Sequence, residues 1–322
     1  MLLAGTDDGV YRIAEPTESA GSVPSDSVLE RGRTMRVRTF SAVPGAFAAT
    51  KDGLYHTMDG TTWTDLGVPQ TEVYSVVAGP NGDRLYAGTH PSHLYVTESF
   101  TPGGESPPWR ELTALQNLPS RDDWHTPRHR NVSHVRSLCT HPDRPDRLVV
   151  GIEVGGVHLS DDGGETITER RLDAFDSTYS NDVHHVLLTD PDRFIVATGG
   201  GLYRTTSGGT EYDRIDDGFE HSYFRESYET DDRLIAGATR NPPGSWGGPR
   251  GTDGALFEST DGGDTFEQVA YPGEPTEFVL AFEATENALV AGTNDGSILR
   301  RTERGFERSC RLSAPIRSLA SI

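Results

Sequence analysis

The sequence is poor in lysine, in cysteine and in long apolar stretches. Lysine occurs once among the 29 basic residues, at Lys51, so arginine carries almost all of the positive charge. Acidic residues outnumber basic ones, and the formal net charge is −20. Nucleic-acid binders need basic surface to neutralise phosphates, so the composition disfavours that class of protein.

The scarcity of cysteine and of long apolar runs argues against further classes of protein. The two cysteines, Cys139 and Cys310, fall in different copies of the repeat described below, so we expect neither a disulfide nor a thiolate metal site. No apolar run approaches the roughly 18 residues that span a bilayer. The N-terminus lacks the charged start and long apolar region of a signal peptide. We therefore expect a cytoplasmic protein that binds neither membranes nor nucleic acid.

One pattern recurs along the chain. A short β-type run ends in a small residue, a polar Gly-rich turn follows, and a second run often contains Leu-Tyr. Most copies follow another strand-like run, such as 135–141 or 183–189, and precede a fourth. Four short strands repeated seven times are typical of a β-propeller. The small residue occurs at Gly5, Ala49, Gly88, Gly151, Ala197, Gly237 and Gly292.

The two ends of the chain are expected to complete one blade. The first copy begins at residue 2 with no strand before it, and a strand-like run at 315–322 follows the last copy. We predict that this run is the innermost strand of the first blade and closes the ring. The chain 1–322 is then one all-β domain, a seven-bladed β-propeller of four-stranded antiparallel blades. The approximate blades are 317–322 plus 1–32, 37–68, 73–112, 134–172, 182–218, 222–270 and 276–312.

Aspartate-rich turns follow the third strand of several blades. The clearest are SDDGGETI at 160–167 and STDGGDTF at 259–266, with a shorter form, TMDGTTW, at 57–63. The aspartate can accept backbone N–H bonds within the turn, and glycine supplies a positive φ. One carboxylate per turn is too few for calcium. We interpret Asp59, Asp162 and Asp261 as structural residues.

These turns resemble the Asp-box, or BNR, hairpin of a propeller superfamily. That superfamily includes sialidases, xyloglucanases, sortilin-type receptor domains and photosystem II assembly-factor propellers. The resemblance implies a ligand site on the upper face, which carries the loops that enter each blade and those that join its second and third strands. Seven blades argue against a sialidase, which has six. The acidic, lysine-poor composition resembles that of proteins from halophilic archaea, where carboxylates keep a folded surface hydrated.

Two long insertions are expected on the upper face. Residues 113–133 lead into the fourth blade and contain Trp124, whereas residues 239–254 split a hairpin of the sixth and contain Trp246. Loops of this length often carry function, although both can equally be tolerated surface elaborations.

A second candidate feature is the start of the inner strands. An alignment of the inner-strand runs predicts that one level of the central channel is formed by Arg38, Tyr74, Arg136, His184, Phe224, Val279 and Arg317. The arginine fork suits carboxylates and phosphates. One hypothesis is that the polar members, with the two tryptophans, capture an anionic group. The alternative is that the arginines neutralise acidic neighbours such as Asp182, Glu153 or Asp295.

Several histidines are also expected on the upper face, but their spacing matches no helical metal-ligand register. We therefore interpret them as scattered and solvated, and expect no metal and no cofactor. The histidines expected on this face are His90, His93, His125, His129, His134, His184 and His185.

Two functions remain open. The first is a monomeric, non-enzymatic binding or assembly module that recognises a protein partner or a small anionic ligand at the channel mouth. The second is a glycoside hydrolase or lyase, which would need two carboxylates about 5–9.5 Å apart. No pair stands out among the candidates, which are Asp7, Asp52, Glu153, Asp182, Glu226 and Asp295.

Overall fold

The computed structural model describes residues 1–14, 25–126, 128–230, 232–248 and 251–322. The chain forms seven four-stranded antiparallel sheets arranged in a ring around a central channel. The predicted all-β, seven-bladed propeller is therefore confirmed. No helix in the described ranges is long and apolar enough to cross a membrane.

The strands are short, as their sequence runs predict. The first half of the chain contains β1 (Leu2–Thr6), β2 (Val10–Ile13), β3 (Ser25–Leu29), β4 (Thr34–Phe40), β5 (Val43–Thr50), β6 (Gly53–Thr57), β7 (Trp63–Asp65), β8 (Val73–Ala78), β9 (Leu85–Thr89), β10 (Leu94–Thr97), β11 (Arg110–Glu111), β12 (Val135–His141), β13 (Arg144–Ile152) and β14 (Gly156–Ser160). The second half contains β15 (Thr168–Glu169), β16 (Val183–Asp190), β17 (Arg193–Thr198), β18 (Gly201–Thr205), β19 (Asp213–Arg214), β20 (Tyr223–Glu229), β21 (Leu234–Thr239), β22 (Gly254–Ser259), β23 (Glu267–Val269), β24 (Val279–Ala284), β25 (Leu289–Thr293), β26 (Ser297–Thr302), β27 (Gly305–Arg311) and β28 (Ile316–Ser321).

From the channel outward, the first blade is β28, β1, β2 and β3, and each later blade takes the next four strands of the chain. Short 3₁₀ helices lie in the two long upper-face insertions, at Thr113–Asn117, Arg121–Asp123, His129–Asn131 and Pro243–Ser245. The described cysteines, Cys139 in β12 and Cys310 in β27, are free and lie in different blades, as expected.

The C-terminal strand closes the ring. In the antiparallel pairing of β28 with β1, Ser321 pairs with Leu2, Ala320 with Leu3 and Leu319 with Ala4. Leu319 and Ala320 are each 1% exposed, so the closing strand is part of the core. The two chain ends are thus joined in one sheet, and each depends on the other for its hydrogen bonds.

The small residue of the repeat marks the contact between neighbouring blades. A Cβ atom at Gly88 of β9 would lie 2.4 Å from Cγ1 of Val135, at the start of the next inner strand. A Cβ atom at Gly292 would lie equally close, 2.4 Å, to Cγ2 of Ile316. The recurring glycine therefore makes room for a β-branched side chain of the following blade, because interiors are packed too closely to absorb an extra methyl group there.

The apolar core lies between the blades. Phe47 and Leu54 of the second blade, for example, pack in one cluster with Val73 and Leu85 of the third. Since each sheet presents one face to each neighbour, both faces become apolar, and only the outermost strands and the loops face solvent.

The aspartate-rich turns join the third and fourth strands, opposite the upper face. Asp162 Oδ1 accepts a hydrogen bond from Thr166 N at 2.9 Å, and its Oδ2 accepts one from Thr166 Oγ1 at 2.7 Å. Asp261 accepts the same pair of bonds from Thr265, at 2.9 and 2.7 Å. Asp59 accepts from Thr62 N at 2.8 Å. All three carboxylates therefore act within their own turns.

We expect Gly88→Ala to destabilise the protein by about 1–3 kcal/mol, because the added methyl group overlaps Val135. The matched control is Gly237→Ala, at the equivalent position of the sixth blade, where the nearest atom to the new Cβ, in Val279, is 3.4 Å away. The free energy of unfolding in urea measures both variants. Equal losses would mean that the small residue does not set the distance between blades.

The turn carboxylates also predict a pH dependence. Hydrogen bonds from Thr166 lower the pKa of Asp162. A lowered folded-state pKa contributes stability above the unfolded value, about 3.9, and this stability is lost as the pH falls through the folded-state value. We expect Asp162→Asn to lower the melting temperature at pH 7 and the difference from the parent protein to shrink below about pH 4. The control is Asp176→Asn, at an exposed aspartate outside these turns.

Candidate functional site at the channel mouth

Each inner strand begins with a β-bulge at the upper end of the channel. The sheet register skips one residue there, as between Val135 and Ser137 or between Val183 and His185. A bulge leaves the extra residue unpaired and re-aims its side chain. The skipped residues are therefore equivalent and surround the channel mouth: Met35, Tyr74, Arg136, His184, Arg225, Leu280 and Arg317.

Tyr74, Arg136, His184 and Arg317 thus share one level, as the sequence alignment placed them. Arg38 does not, because β4 begins at Thr34, three residues before the expected start of the blade, and Met35 takes the bulge. The bulges likewise contain Arg225 instead of Phe224 and Leu280 instead of Val279. The alignment failed at these positions because the inserted residue of a bulge leaves no mark in an alternating apolar pattern.

Two of the predicted arginines are paired within the protein. Arg317 donates two hydrogen bonds to Asp7, at 2.7 and 3.0 Å, and Arg33 lies 3.0 Å from the same carboxylate. Arg38 lies deeper in the channel, 3.8 Å from Glu226. These two arginines therefore neutralise acidic neighbours, as the alternative hypothesis predicts. The neighbours are Asp7 and Glu226, whereas the sequence suggested Asp182, Glu153 or Asp295.

Glu226 is the centre of an ionic cluster inside the channel. Arg36 of the second blade reaches it at 3.1 Å, and His185 of the fifth lies 3.3 Å away. The side chains of Arg36 and Glu226 are 6% and 8% exposed. Burial alone would raise the pKa of Glu226, but Arg36 and its neighbours outweigh burial and hold the pKa below its usual value. Burial lowers the pKa of His185 to about 4, so the ring is neutral at pH 7.

Arg136 and Arg225 are not neutralised in this way. Within the described ranges, no carboxylate oxygen lies within 4.0 Å of either guanidinium. Arg225 donates to the Tyr223 hydroxyl at 2.9 Å and lies over that ring. The Nε atoms of both arginines are buried and have no hydrogen-bond partner in the described part of the chain. Both residues are partly exposed at the mouth, and neither guanidinium is held by a carboxylate in the described ranges.

These arginines line a cavity of about 220 Å³ at the channel mouth. An aromatic wall forms one side of it. The ring of Trp246 packs 4.7 Å from Phe278 and 5.9 Å from Tyr223, and its Nε1 donates to the Asn241 carbonyl at 2.8 Å. The insertion predicted at 239–254 thus delivers Trp246 to the mouth, although Pro249 and Arg250 lie outside the described residues.

The insertion at 113–133 does not place its tryptophan, Trp124, at the channel mouth. Trp124 is 1% exposed and packs in the apolar cluster between the third and fourth blades. Its Nε1 donates to Ser120 Oγ at 3.0 Å, and its ring lies 5.0 Å from that of His158. The prediction that Trp124 presents a ligand surface is therefore wrong in this structure. A bulky apolar side chain in a long loop is buried when that loop folds back on the sheets.

The histidines of the upper face are neither scattered nor generally solvated. His90, His134, His184 and His185 are at most 9% exposed. The Nδ1 of His184 lies 2.5 Å from the Phe224 carbonyl, behind the mouth. Tyr74 is likewise buried, with its ring 4.0 Å from that of His134.

Three side chains converge at the rim of the cavity. The Nε2 atoms of His129 and His134 lie 3.4 and 2.9 Å from the two oxygens of Glu153. Burial lowers the pKa of His134 to about 4. Burial also opposes ionisation of Glu153, but the two histidines and Arg136 hold its pKa well below the usual value. Arg128 bridges Glu153 and Asp182, at 3.5 and 3.1 Å.

Sequence reasoning missed Arg225, Arg36 and Arg128. Arg225 follows the aligned Phe224 directly, so only the bulge distinguishes the two positions. Arg36 lies before the expected start of its blade. Arg128 lies in an irregular loop, where no periodicity indicates the direction of a side chain.

Comparisons with solved structures agree with the fold. The chain is similar to a GH74 enzyme of Niastella koreensis (TM-score 0.61, 12% identity, covering 85% of this chain and 45% of that one). It is also similar to the GH74 xyloglucanase of Xanthomonas campestris (0.61, 15%, 92% and 46%) and to the WD40 β-propeller domain of Doa1 (0.61, 13%, 96% and 89%). The chain thus spans slightly under half of each GH74 chain. No family model and no curated protein sequence matches it.

We predict that substitution of Glu226 causes a large loss of stability. We expect Glu226→Ala to lower the free energy of unfolding by about 3–5 kcal/mol, because Arg36 would keep a buried, uncompensated charge. The control is Glu165→Ala, which removes an ion pair with Arg110 whose side chains are 58% and 53% exposed. That change should cost about 1 kcal/mol or less. Urea denaturation measures both, and similar losses would contradict the role given to Glu226.

Proposed function

We propose that this protein is a non-enzymatic binding propeller that captures an anionic group of a protein partner at the channel mouth. The observation that carries the proposal is the pair Arg136 and Arg225, whose guanidiniums face the mouth cavity and have no carboxylate within 4.0 Å among the described residues. Hydrogen bonds to charged groups contribute about 1.5–3 kcal/mol each, so an incoming carboxylate gains more here than at a paired arginine.

The size of the cavity favours a small anionic group. Its volume, about 220 Å³, is below the roughly 300–1,000 Å³ of sites for drug-sized ligands. An acidic side chain or a chain-terminal carboxylate fits such a volume. Trp246 and Phe278 offer an apolar surface beside the arginines, and tryptophan and arginine are the residues that most often dominate binding energy at protein interfaces.

The charge balance points the same way. Six arginines line the cavity, namely Arg33, Arg36, Arg128, Arg136, Arg225 and Arg317, whereas four carboxylates line it or pair with these arginines in the described ranges, namely Asp7, Glu153, Asp182 and Glu226. In a chain of net charge −20, this concentration of cations makes the mouth stand out from the acidic surface. Clefts lined by one sign of charge focus the field and attract ligands of opposite charge.

The alternative, a glycoside hydrolase, has weaker support. Such an enzyme needs a carboxylic acid that is protonated near neutral pH. Burial opposes ionisation of Glu153, Asp182 and Glu226, yet their basic neighbours hold all three pKa values below the usual range. They are therefore ionised and unsuited to donate a proton. The similarity to GH74 enzymes concerns the fold, which many unrelated functions share.

A peptide-binding experiment tests the proposal. The probe is a short acidic peptide with a free C-terminal carboxylate, titrated into the full-length protein by calorimetry at fixed salt. We expect Arg136→Ala and Arg225→Ala each to weaken binding about ten-fold or more, because each removes a charge-assisted hydrogen bond. Trp246→Ala should also weaken it, through loss of the apolar wall.

The control variant is Arg204→Ala, which removes an arginine paired with Asp264 at 2.6 Å, away from the mouth. It should bind like the parent protein. The peptide with glutamine in place of its acids and an amidated terminus should bind weakly. Unchanged affinity in both Arg136→Ala and Arg225→Ala would overturn the proposal.

A further inference from the structure

We propose that His129, His134 and Glu153 form a binding site for a divalent transition-metal ion, with zinc as the best match. One ligand atom from each residue lies within 4.8 Å of the others, at the rim of the mouth cavity. Two imidazoles and one carboxylate are a ligand set that zinc commonly takes in proteins. This metal site is distinct from the proposed anion site, because its three ligands do not include Arg136 or Arg225.

The distances between the ligand atoms fit a shared ion. Two atoms each about 2.0–2.1 Å from zinc at a tetrahedral angle are about 3.4 Å apart. His129 Nε2 lies 3.4 Å from Glu153 Oε1, and His134 Nε2 lies 2.9 Å from Oε2. Small rotations of these side chains would place a single ion in contact with all three.

A buried nitrogen without a hydrogen bond supports an ion over a simple polar contact. His134 is 0% exposed, and its Nε2 makes no hydrogen bond of acceptable geometry in the described part of the chain, although Glu153 Oε2 is 2.9 Å away. A buried polar atom left in this state is costly. A cation between the nitrogen and the oxygen would satisfy both.

The surrounding backbone holds the three residues in place. Glu153 N donates to the His134 carbonyl at 3.1 Å, which ties two of the ligands together. His90 Nε2 lies 3.0 Å from the His129 carbonyl. His129, Arg130 and Asn131 have φ values of 48°, 59° and 61° in succession. Left-handed backbone at non-glycine residues costs free energy and is concentrated at ligand sites.

The site would leave one coordination position open. His129 and Glu153 line the mouth cavity, whereas His134 lies behind them. Three protein ligands with a fourth position facing a cavity are typical of zinc sites that bind an exogenous group, in contrast to closed structural sites. A water molecule or an anionic ligand would take that position.

Neighbouring arginines limit the affinity. Arg128 lies 3.5 Å from Glu153, and Arg136 also lowers the pKa of Glu153 through its charge. A bound cation is repelled by both arginines. Arg128 also pairs with Asp182, at 3.1 Å. It can therefore release Glu153 to a metal ion and still keep one carboxylate partner. Removal of the Arg128 charge should therefore strengthen metal binding, which is a signature specific to this site.

The test is zinc titration of the full-length protein after removal of metals with a chelator, followed by calorimetry. We expect one zinc ion per chain and at least a ten-fold weaker affinity in His129→Ala and in Glu153→Gln, because each loses a direct ligand. Arg128→Gln should bind more tightly than the parent protein. Zinc should raise the melting temperature of the parent protein more than that of His129→Ala.

The matched control is His93→Ala. His93 lies 2.7 Å from Glu111 on the same face, but no third ligand joins them among the described residues, so its loss should leave zinc affinity unchanged. Arg136→Ala should lose peptide binding and keep zinc, which separates the two proposals. Zinc binding that is absent, non-stoichiometric or equal in His129→Ala and the parent protein would overturn this proposal.

Discussion

The structure depends on one repeated contact, the packing of a side chain at the start of an inner strand, β-branched in every blade but the sixth, against the small residue of the preceding blade. Gly88 with Val135 and Gly151 with Val183 show how little space this contact allows. The contact sets the distance between blades, and the same distance repeated around a ring fixes the level at which every inner strand starts. The channel and its mouth follow from that geometry.

A narrow channel brings side chains from distant blades into contact, and this is where charge collects. Arg36 of the second blade meets Glu226 of the sixth at 3.1 Å, a pair far apart in sequence. Because the channel interior is poorly solvated, a carboxylate there stays ionised only beside a cation. The buried acids are therefore matched by arginines and histidines, whereas Arg136 and Arg225, which are partly exposed at the mouth, have no carboxylate within 4.0 Å in the described ranges.

In the function that we propose, the mouth serves recognition, and three of its features support that proposal. Its carboxylates are ionised, its unpaired charges are positive, and one wall is aromatic. The similarity to both GH74 enzymes and a WD40 propeller shows how one scaffold carries different functions. In this chain the loops of the upper face place Trp246 and Arg128 beside the channel.

The sequence by itself determined the number of blades, the four strands in each, the closure by the C-terminal strand and the turns built around Asp59, Asp162 and Asp261. These features follow from local patterns, namely alternation of apolar residues, small residues at fixed spacing and turn chemistry. It also identified Arg136, Arg317 and Trp246 as residues of the mouth. Only the tertiary structure decided that Arg38 lies deeper, that Trp124 is buried and that Arg225 has no carboxylate partner in the described ranges. It alone brought His129, His134 and Glu153 together. Bulges, loop conformation and contacts across the channel depend on residues distant in sequence, and no local pattern encodes them.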